Sequence, residues 1–363
     1  MIVYITAFIV TLLFSTGFIK FRESYKNSKF SRTIDYKIYS AFLFLMAVFP
    51  LWFITAFRYD VGTDYLYTYV KYFEHTSYGW KPYRHEPLFQ LLNTVLVSLN
   101  LSYVWLFAIS GMLILGFLFY YIFKFSPKPL YSIVIFFCSS FFFNSLNNVR
   151  QYIAIAIAII GFSQKNTIKA FIIILIATLF HLTAIVYIPL YIIVMNLMFA
   201  KPVKKSKMIK LSILSIVLAP ALCFILKKII VLTPYAYFLD SQNGGYSLLI
   251  IIVNIIIFIF TLFYYDSKDK IYQKFAFLQL LTALCCVCSV FLQNEEMWMR
   301  IIRITSTFQI ILLPKIILKE KNHLSRYAVG LIFIAIYSVY TLYTVYYQGG
   351  LAVFPYQFVF GKL

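Results

Sequence analysis

The stretch that decides the fold runs from Asn147 to Pro189 and reads NNVRQYIAIAIAIIGFSQKNTIKAFIIILIATLFHLTAIVYIP. Two of its residues are costly where they stand. Arg150 heads one apolar run and His181 lies within another. A charged side chain in hydrocarbon costs on the order of 2.5–3.5 kcal/mol on insertion scales, so ionisable residues in such runs face a cavity or a partner. The same logic, applied outward from this stretch, collects Arg58, Asp60, Asp64, Glu86, Arg300 and Arg303. One polar cavity on one side of a membrane, lined by these residues, is expected.

The surrounding composition agrees. Of 363 residues, 62% are hydrophobic and 12% charged, with mean hydropathy +0.85; soluble domains run at roughly 25% charged and 45–50% apolar. The chain is read as an integral membrane protein. The aromatic share of 20% fits many helix ends at lipid–water interfaces. A formal charge of +20 does not point to nucleic acid, because most lysines fall in short loops between apolar runs. The positive-inside rule and attraction to anionic lipids account for them there. Cys138, Cys223, Cys285, Cys286 and Cys288 all lie in apolar runs without nearby His or acidic partners, and are read as small hydrophobes. The first segment, Ile2 to Ile19, has no basic n-region and no small-residue cleavage site, and is read as a retained transmembrane helix.

An all-α polytopic transmembrane bundle follows, a single integral membrane domain over 1–363 with about twelve spans. They are placed near 2–19, 38–57, 103–123, 131–146, 151–163, 168–181, 182–198, 209–232, 248–265, 272–293, 300–318 and 327–346. The stretch 87–100 is too short and polar to span, and reads as a re-entrant or interfacial helix. The spans around Arg150 and His181 are short too, as in a thinned or re-entrant region. Basic loops around Lys20–Lys37, Lys124–Lys128, Lys165–Lys169, Lys201–Lys210, Lys268–Lys274 and Lys319–Arg326 go to the cytoplasm, leaving both termini outside. With 168–198 taken as a hairpin, its turn falls at His181 on the outer side. The segments ending at Arg58 and beginning at Glu86, Arg150, Arg300 and Arg303 reach that same side, with 58–86 as the main extracytoplasmic loop and 233–247 a shorter one. Arginines left outside against the positive-inside bias point to recognition of phosphate or carboxylate by planar, bidentate donors.

Loop 58–86 opens with Phe57-Arg58-Tyr59-Asp60-Val61-Gly62-Thr63-Asp64-Tyr65. Asp60 and Asp64 share a face if helical, whereas Gly62 allows a turn instead. Either carboxylate could act as general base toward a hydroxyl while Arg58 binds an anion; the bland alternative is an interfacial loop with an Arg–Asp pair and tyrosine anchors. His85-Glu86-Pro87 closes the loop and makes Glu86 a second base candidate. Arg150 at a helix N-terminus opposes the macrodipole, so something anionic is needed beside it, a lipid headgroup or a substrate phosphate. His181 is either a substrate contact, a base, or a helix–helix hydrogen bond. Arg300 and Arg303 lie one turn apart with Thr307 continuing their face; the rival is a Glu296–Arg300 ion pair with Arg303 snorkelling. Tyrosine-rich segments 65–69, 78–83 and 235–246 are either stacking surfaces or aromatic belts.

Four motifs occur in order: Arg58 with Val61-Gly62-Thr63-Asp64-Tyr65, Glu86-Pro87-Leu88-Phe89, Asn148-Val149-Arg150-Gln151, and Phe180-His181-Leu182-Thr183. Together they resemble the EpsG-type family of Wzy-like polysaccharide polymerases, best over roughly 50–190. The resemblance implies a GT-C-like membrane glycosyltransferase. Such an enzyme joins undecaprenyl-diphosphate-linked oligosaccharide repeats on the outer face of the bacterial cytoplasmic membrane, building O-antigen, capsule or exopolysaccharide. Carried to this chain, the motif residues are Arg58, Gly62, Asp64, Tyr65, Glu86, Pro87, Arg150, Gln151 and His181. Catalytic roles are expected of Asp60, Asp64, Glu86 or His181, and substrate contacts of Arg58, Tyr65, Arg150 and Gln151. Arg300 and Arg303 stand outside those motifs; they are added because a departing diphosphate must be neutralised by a metal or by cations. Without an Asp-x-Asp motif, metal-independence and no cofactor are expected. The expected partners are the lipid-linked oligosaccharide, membrane lipids and a chain-length regulator, with no nucleic acid. The rivals are a lipid-linked oligosaccharide flippase, a polysaccharide acyltransferase resting on His181, and a non-catalytic assembly subunit. A flippase is disfavoured because the charges gather at one face and no repeat is visible.

Overall fold

A computed structural model describes residues 1–197, 202–231, 248–292 and 295–362. The described residues form helices and connecting loops, with one isolated bridge between Arg58 and Phe358. The chain divides into two compact units, Met1–Ala184 with Thr341–Leu363, and Ile185–Tyr340.

The first unit contains α1 (Ile2–Tyr25), α2 (Ile34–Ala56), α3 (Lys71–Ser77), α4 (Pro87–Ser98), α5 (Tyr103–Phe125), α6 (Pro129–Cys138), α7 (Phe141–Asn147), α8 (Val149–Phe162) and α9 (Thr167–Phe180). Their starts are written locally. Thr33 accepts the Tyr36 amide to open α2, and Asn166 accepts the Lys169 amide to open α9. Pro87 and Pro129 occupy the first turn of α4 and α6, where a missing N–H costs nothing. The α1–α2 hairpin closes on Phe18–Phe44 and Phe21–Tyr36 ring contacts. Trp52 ties α2 to α5 by donating to the Ala108 carbonyl at 2.8 Å.

The most enclosed helix is α8. Its run Ile153–Ile159 alternates Ile and Ala and is buried on every side, the pattern of a core helix rather than a lipid-facing one. At Gly161 a Cβ would stand 3.0 Å from Ile174 Cγ1 and 3.1 Å from the Ala170 carbonyl oxygen. Any side chain here would push the α8–α9 contact apart by a few tenths of an ångström or more.

The second unit holds α10 (Tyr187–Ile192), α11 (Lys205–Val231), α12 (Leu248–Phe263), α13 (Lys270–Leu292), α14 (Glu295–Ser306), α15 (Gln309–Lys319) and α16 (His323–Thr341). A buried amide network joins four of them. Gln309 on α15 donates to Asn254 Oδ1 on α12 at 2.7 Å and to Gln279 Oε1 on α13 at 2.8 Å. The Tyr337 hydroxyl on α16 donates to Gln309 Oε1 at 2.5 Å. Cys223, Cys286 and Cys288 pack with Trp298 and Ile302, in keeping with their reading as small hydrophobes.

The protein is a multi-pass membrane protein, but the expected dozen spans are not matched by a dozen long helices. Six of the described helices are long and apolar enough to cross a membrane, or up to eight if each bent pair is one span. The segment expected at 131–146 bends by 55° between α6 and α7, and that at 300–318 by 47° between α14 and α15. Ser140, at the first break, adopts a left-handed φ of 59°. The segments expected at 151–163, 168–181, 182–198 and 248–265 are apolar helices of 10–17 residues. A 14-residue helix such as α8 or α9 is about 21 Å long, short of the roughly 30 Å hydrocarbon core. Within the 87–100 stretch the chain forms the 12-residue helix α4, Pro87–Ser98.

Gly161→Val is expected to destabilise the protein by about 1–3 kcal/mol through overpacking at the α8–α9 contact. Gly116→Ala on α5, where a Cβ meets nothing within 4 Å, serves as the neutral control. Thermal melts of the purified protein check both.

Candidate functional site

Three helix ends meet at one carboxylate. Glu86 is the N-cap of α4, Arg150 is the second residue of α8, and His181 caps the C-terminus of α9 in an extended conformation. Glu86 Oε2 pairs with Arg150 Nη1, and Glu86 Oε1 with His181 Nδ1. Glu86 is 7% and His181 8% exposed, while the Arg150 side chain keeps 26% of its surface. The anion that Arg150 requires at its helix N-terminus is therefore supplied from within the protein, by Glu86.

The electrostatics of the cluster follow from this geometry. Burial alone would raise the Glu86 carboxyl, but the hydrogen bond to His181 and the charge of Arg150 overcome it and hold the group below its ordinary range. Glu86 is thus ionised at neutral pH, so His181 Nδ1 must carry the proton and donate. The Arg150 guanidinium lies over the Tyr83 ring, 4.8 Å from its centroid. Burial pushes the Tyr69 phenol up, with Arg150 opposing and Asp64 adding to the rise. Tyr69 consequently sits within reach of both charged groups.

The loop motif frames the cluster. Arg58 is fully buried at 0% exposure. Its Nη1 donates to the Leu146 carbonyl at 2.5 Å, and its guanidinium covers Phe107 at 4.7 Å and Tyr65 at 5.6 Å. Burial lowers its pKa to about 10, which leaves it cationic at neutral pH. Tyr65 stacks on Phe107 at 4.5 Å, and its hydroxyl donates to the Arg58 carbonyl at 2.9 Å. Thr63 Oγ1 and the Asp64 amide both donate to Asn147 Oδ1 at 2.9 Å. Gly62, at φ +108°, brings its backbone against the same turn, where a Cβ would stand 3.3 Å from the Leu146 oxygen. Leu146 and Asn147 end α7, just before Arg150. The loop therefore clasps the turn that presents Arg150.

A C-terminal strap, unassigned by the sequence reading, grips the other side of this loop. The Gly62 amide donates to Ala352 at 3.0 Å, Tyr59 to Gln357 at 2.9 Å, and Val359 donates to Phe57 at 2.9 Å. The Tyr4 hydroxyl on α1 donates to the Val353 carbonyl at 2.9 Å.

The structure thus brings Glu86, Arg150 and His181 into contact, and places Asp64 within electrostatic range of Tyr69. Gln151 is buried next to Arg150 on α8. Asp60 is exposed at a left-handed φ of 49° and makes no hydrogen bond or ion pair among the described residues. Arg300 and Arg303 are partly buried on α14 in the second unit. The Glu296 side chain, and with it the Glu296–Arg300 pair, lies outside the described residues, as do loop 233–247 and tyrosines 235–246. Asn147, Tyr69 and Tyr83 were not singled out by sequence, although Asn147 directly precedes one motif and both tyrosines lie in the tyrosine-rich segments.

The EpsG family model matches residues 41–358, a span that includes every motif residue of this cluster and its frame. The chain belongs to the EpsG family. No curated protein and no solved structure matches it. In this EpsG-family protein the cluster sets one imidazole and one guanidinium on a single buried carboxylate.

Two outcomes are expected. Because its folded pKa is depressed, Glu86 contributes stability that is complete above the ordinary carboxylate pKa of about 4.3 and lost as pH falls through the lower folded value. Glu86→Gln should therefore melt below wild type at pH 7, with the gap closing in strong acid. Arg58→Ala, which leaves a cavity and an unpaired Leu146 carbonyl, should cost about 2–5 kcal/mol in the same assay.

Proposed function

We propose that this protein is a Wzy-type polysaccharide polymerase. It would join undecaprenyl-diphosphate-linked oligosaccharide repeats on the outer face of the bacterial cytoplasmic membrane, on a GT-C-like scaffold. Membership of the EpsG family supports a polymerase-type membrane protein, and the observation that carries the chemistry is the Glu86 carboxylate shared by Arg150 and His181.

In this reading His181 is the general base. Its Nε2 takes the proton from a hydroxyl of the newly flipped repeat unit. That oxygen forms a bond to the anomeric carbon of the growing glycan. The bond from this carbon to the carrier diphosphate breaks, and the electron pair leaves with undecaprenyl diphosphate. Glu86 orients the imidazole and stabilises its charged form, as a buried carboxylate does for a catalytic histidine elsewhere. With both oxygens engaged, Glu86 is a poorer base candidate than His181. Asp64, within electrostatic range of Tyr69, is the remaining carboxylate near the cluster.

Arg150 serves the diphosphate with the donors that Glu86 leaves over. Its Nε is buried and has no hydrogen-bond partner among the described residues. The side chain as a whole keeps 26% of its surface, and an accessible guanidinium edge is suited to an incoming phosphoryl oxygen. Arg300 and Arg303 are the corresponding candidates on the second unit, and Gln151 is a candidate for a sugar hydroxyl. Arg58 and Tyr65, sealed from solvent, hold the frame. The wider partners are membrane lipids and a chain-length regulator.

The test is the glycan ladder of a deletion strain complemented with wild type, Arg150→Ala, His181→Ala, Glu86→Gln or Arg300→Ala at matched membrane abundance. Deletion should leave a single repeat unit on its acceptor. His181→Ala should reproduce that state, with turnover reduced by about 10²-fold or more. A full-length ladder from His181→Ala would overturn the assignment of the base. Loss of every outward-facing repeat in the deletion strain would instead place the protein earlier, as a flippase.

A further inference from the structure

Arg150 is the inner end of an unbroken run of rings that leads to the surface. Its guanidinium covers Tyr83, and Tyr83 meets Tyr72 edge-on at 5.5 Å. Tyr72 stacks with the His75 ring at 5.9 Å and 25°, and His75 lies 5.2 Å from Trp80. The inner half is anchored in the core: Tyr83 is buried, packs edge-on to Phe89 at 4.8 Å, and its amide donates to Gln90 Oε1 at 3.0 Å. The outer half is fixed by the turn that ends α3. There the Trp80 amide donates to the His75 carbonyl at 3.1 Å and the Gly79 amide to Thr76 at 3.0 Å, with Gly79 at φ +82°. Yet Trp80 is 65% and Tyr78 79% exposed. Large rings are held in place at the surface with nothing from this unit packed over them.

The neighbours of these rings indicate what covers them. Lys71, Glu74, Lys81, Arg84 and His85, on the same segment, are all exposed. Each ionised group would cost roughly 2.5–3.5 kcal/mol in hydrocarbon, so this face is in water rather than in the acyl region. Exposed apolar surface of this kind in water marks a binding site. Aromatic rings flanked by hydrogen-bonding and charged side chains fit a pyranose, which offers C–H faces for stacking and hydroxyls at its rim.

We infer that Tyr72, His75, Tyr78 and Trp80 form a glycan-binding platform, which holds sugars of the polymer several residues away from the linkage being made at Glu86, Arg150 and His181. The occupant is a carbohydrate chain, and its path follows the ring run outward from Tyr83. This inference rests on the polymerase reading, and it adds to that reading a surface that retains the glycan between successive transfers. Retention makes long chains; its loss makes short ones.

The experiment uses full-length protein. Trp80→Ala and Tyr78→Ala, singly and together, complement the deletion strain beside wild type and His181→Ala. The double variant is expected to shift the ladder to shorter chains, lowering the modal length at least twofold at normal membrane abundance. Purified protein in nanodiscs is then titrated with polysaccharide released from the producing strain by mild acid, reading tryptophan emission. The wild-type change should disappear in Trp80→Phe, which removes one of the four tryptophans. An unchanged ladder, or an emission change that survives Trp80→Phe, overturns the platform. Quenching of Trp80 in nanodiscs of brominated-chain phosphatidylglycerol does so as well, because it would make this surface a lipid anchor. Failure of the platform alone leaves His181→Ala inactive with Trp80→Ala like wild type. Loss of every outward-facing repeat unit in the deletion strain brings down the parent reading instead.

Discussion

A single buried carboxylate, Glu86, satisfies groups from two other helices at once, and the surrounding architecture depends on that sharing. An ionised carboxylate in this position with either partner removed would be a buried, undercompensated charge, a change that costs about 3–5 kcal/mol where one partner of a buried pair is deleted. To serve both partners, three helix ends must arrive within hydrogen-bonding distance of one point. The helices that end there, α4, α8 and α9, are 12, 14 and 14 residues long. The ends bring their dipoles too. Glu86 sits at the N-terminus of α4 and faces that of α8, where negative charge is favoured; His181 sits at the C-terminus of α9, where a positive imidazolium is favoured.

Around this point the loop 58–65 acts as a clasp. Among the described residues Arg58 Nε and Nη2 have no hydrogen-bond partners, a penalty that a surrounding cage offsets. That cage is aromatic: Phe107 and Tyr65 present their faces to the guanidinium, and such contacts are worth about 2 kcal/mol or more when desolvated. The strap from Ala352 to Val359 closes over the loop through backbone bonds. These bonds complete the frame. A residue near the C-terminus therefore bears on the placement of Arg150 without touching it.

Much of this was legible in the sequence because the signals were compositional or local. Membrane character came from the scarcity of charge, and Glu86, Arg150 and His181 were conspicuous as ionisable residues beside apolar runs. Their convergence on one carboxylate was not readable, since residues so far apart in sequence give no pairwise signal. Arg150 announced a missing anion, yet nothing local said that Glu86 would be that anion rather than a headgroup or a substrate. Arg58 read as an anion binder because an arginine beside two aspartates has no visible reason to be buried; the rings that enclose it come from α5 and from its own loop's fold. The count of about twelve spans is not confirmed, for a different reason. Hydropathy reports apolar runs and is blind to their interruption, so the breaks at Ser139–Ser140 and Thr307–Phe308 were hidden. The IAIAIAI run of α8 is equally apolar whether its solvent is lipid or protein.

The charge state of the resting cluster bears on the proposed reaction. For His181 to act as the base its imidazole must start neutral; one guanidinium, one carboxylate and that neutral imidazole then sum to zero, so in this state the cluster does not hold an anionic carrier by charge alone. Proton transfer to His181 changes this, making the cluster cationic in the same step in which the departing diphosphate gains a negative charge. An attraction that appears only as the bond breaks stabilises the transition state more than the bound substrate, which is the condition for it to raise the rate rather than merely tighten binding. A permanently cationic pocket would hold the spent carrier and slow its release. Glu86, by cancelling Arg150 at rest, lets the positive charge appear only when the chemistry calls for it.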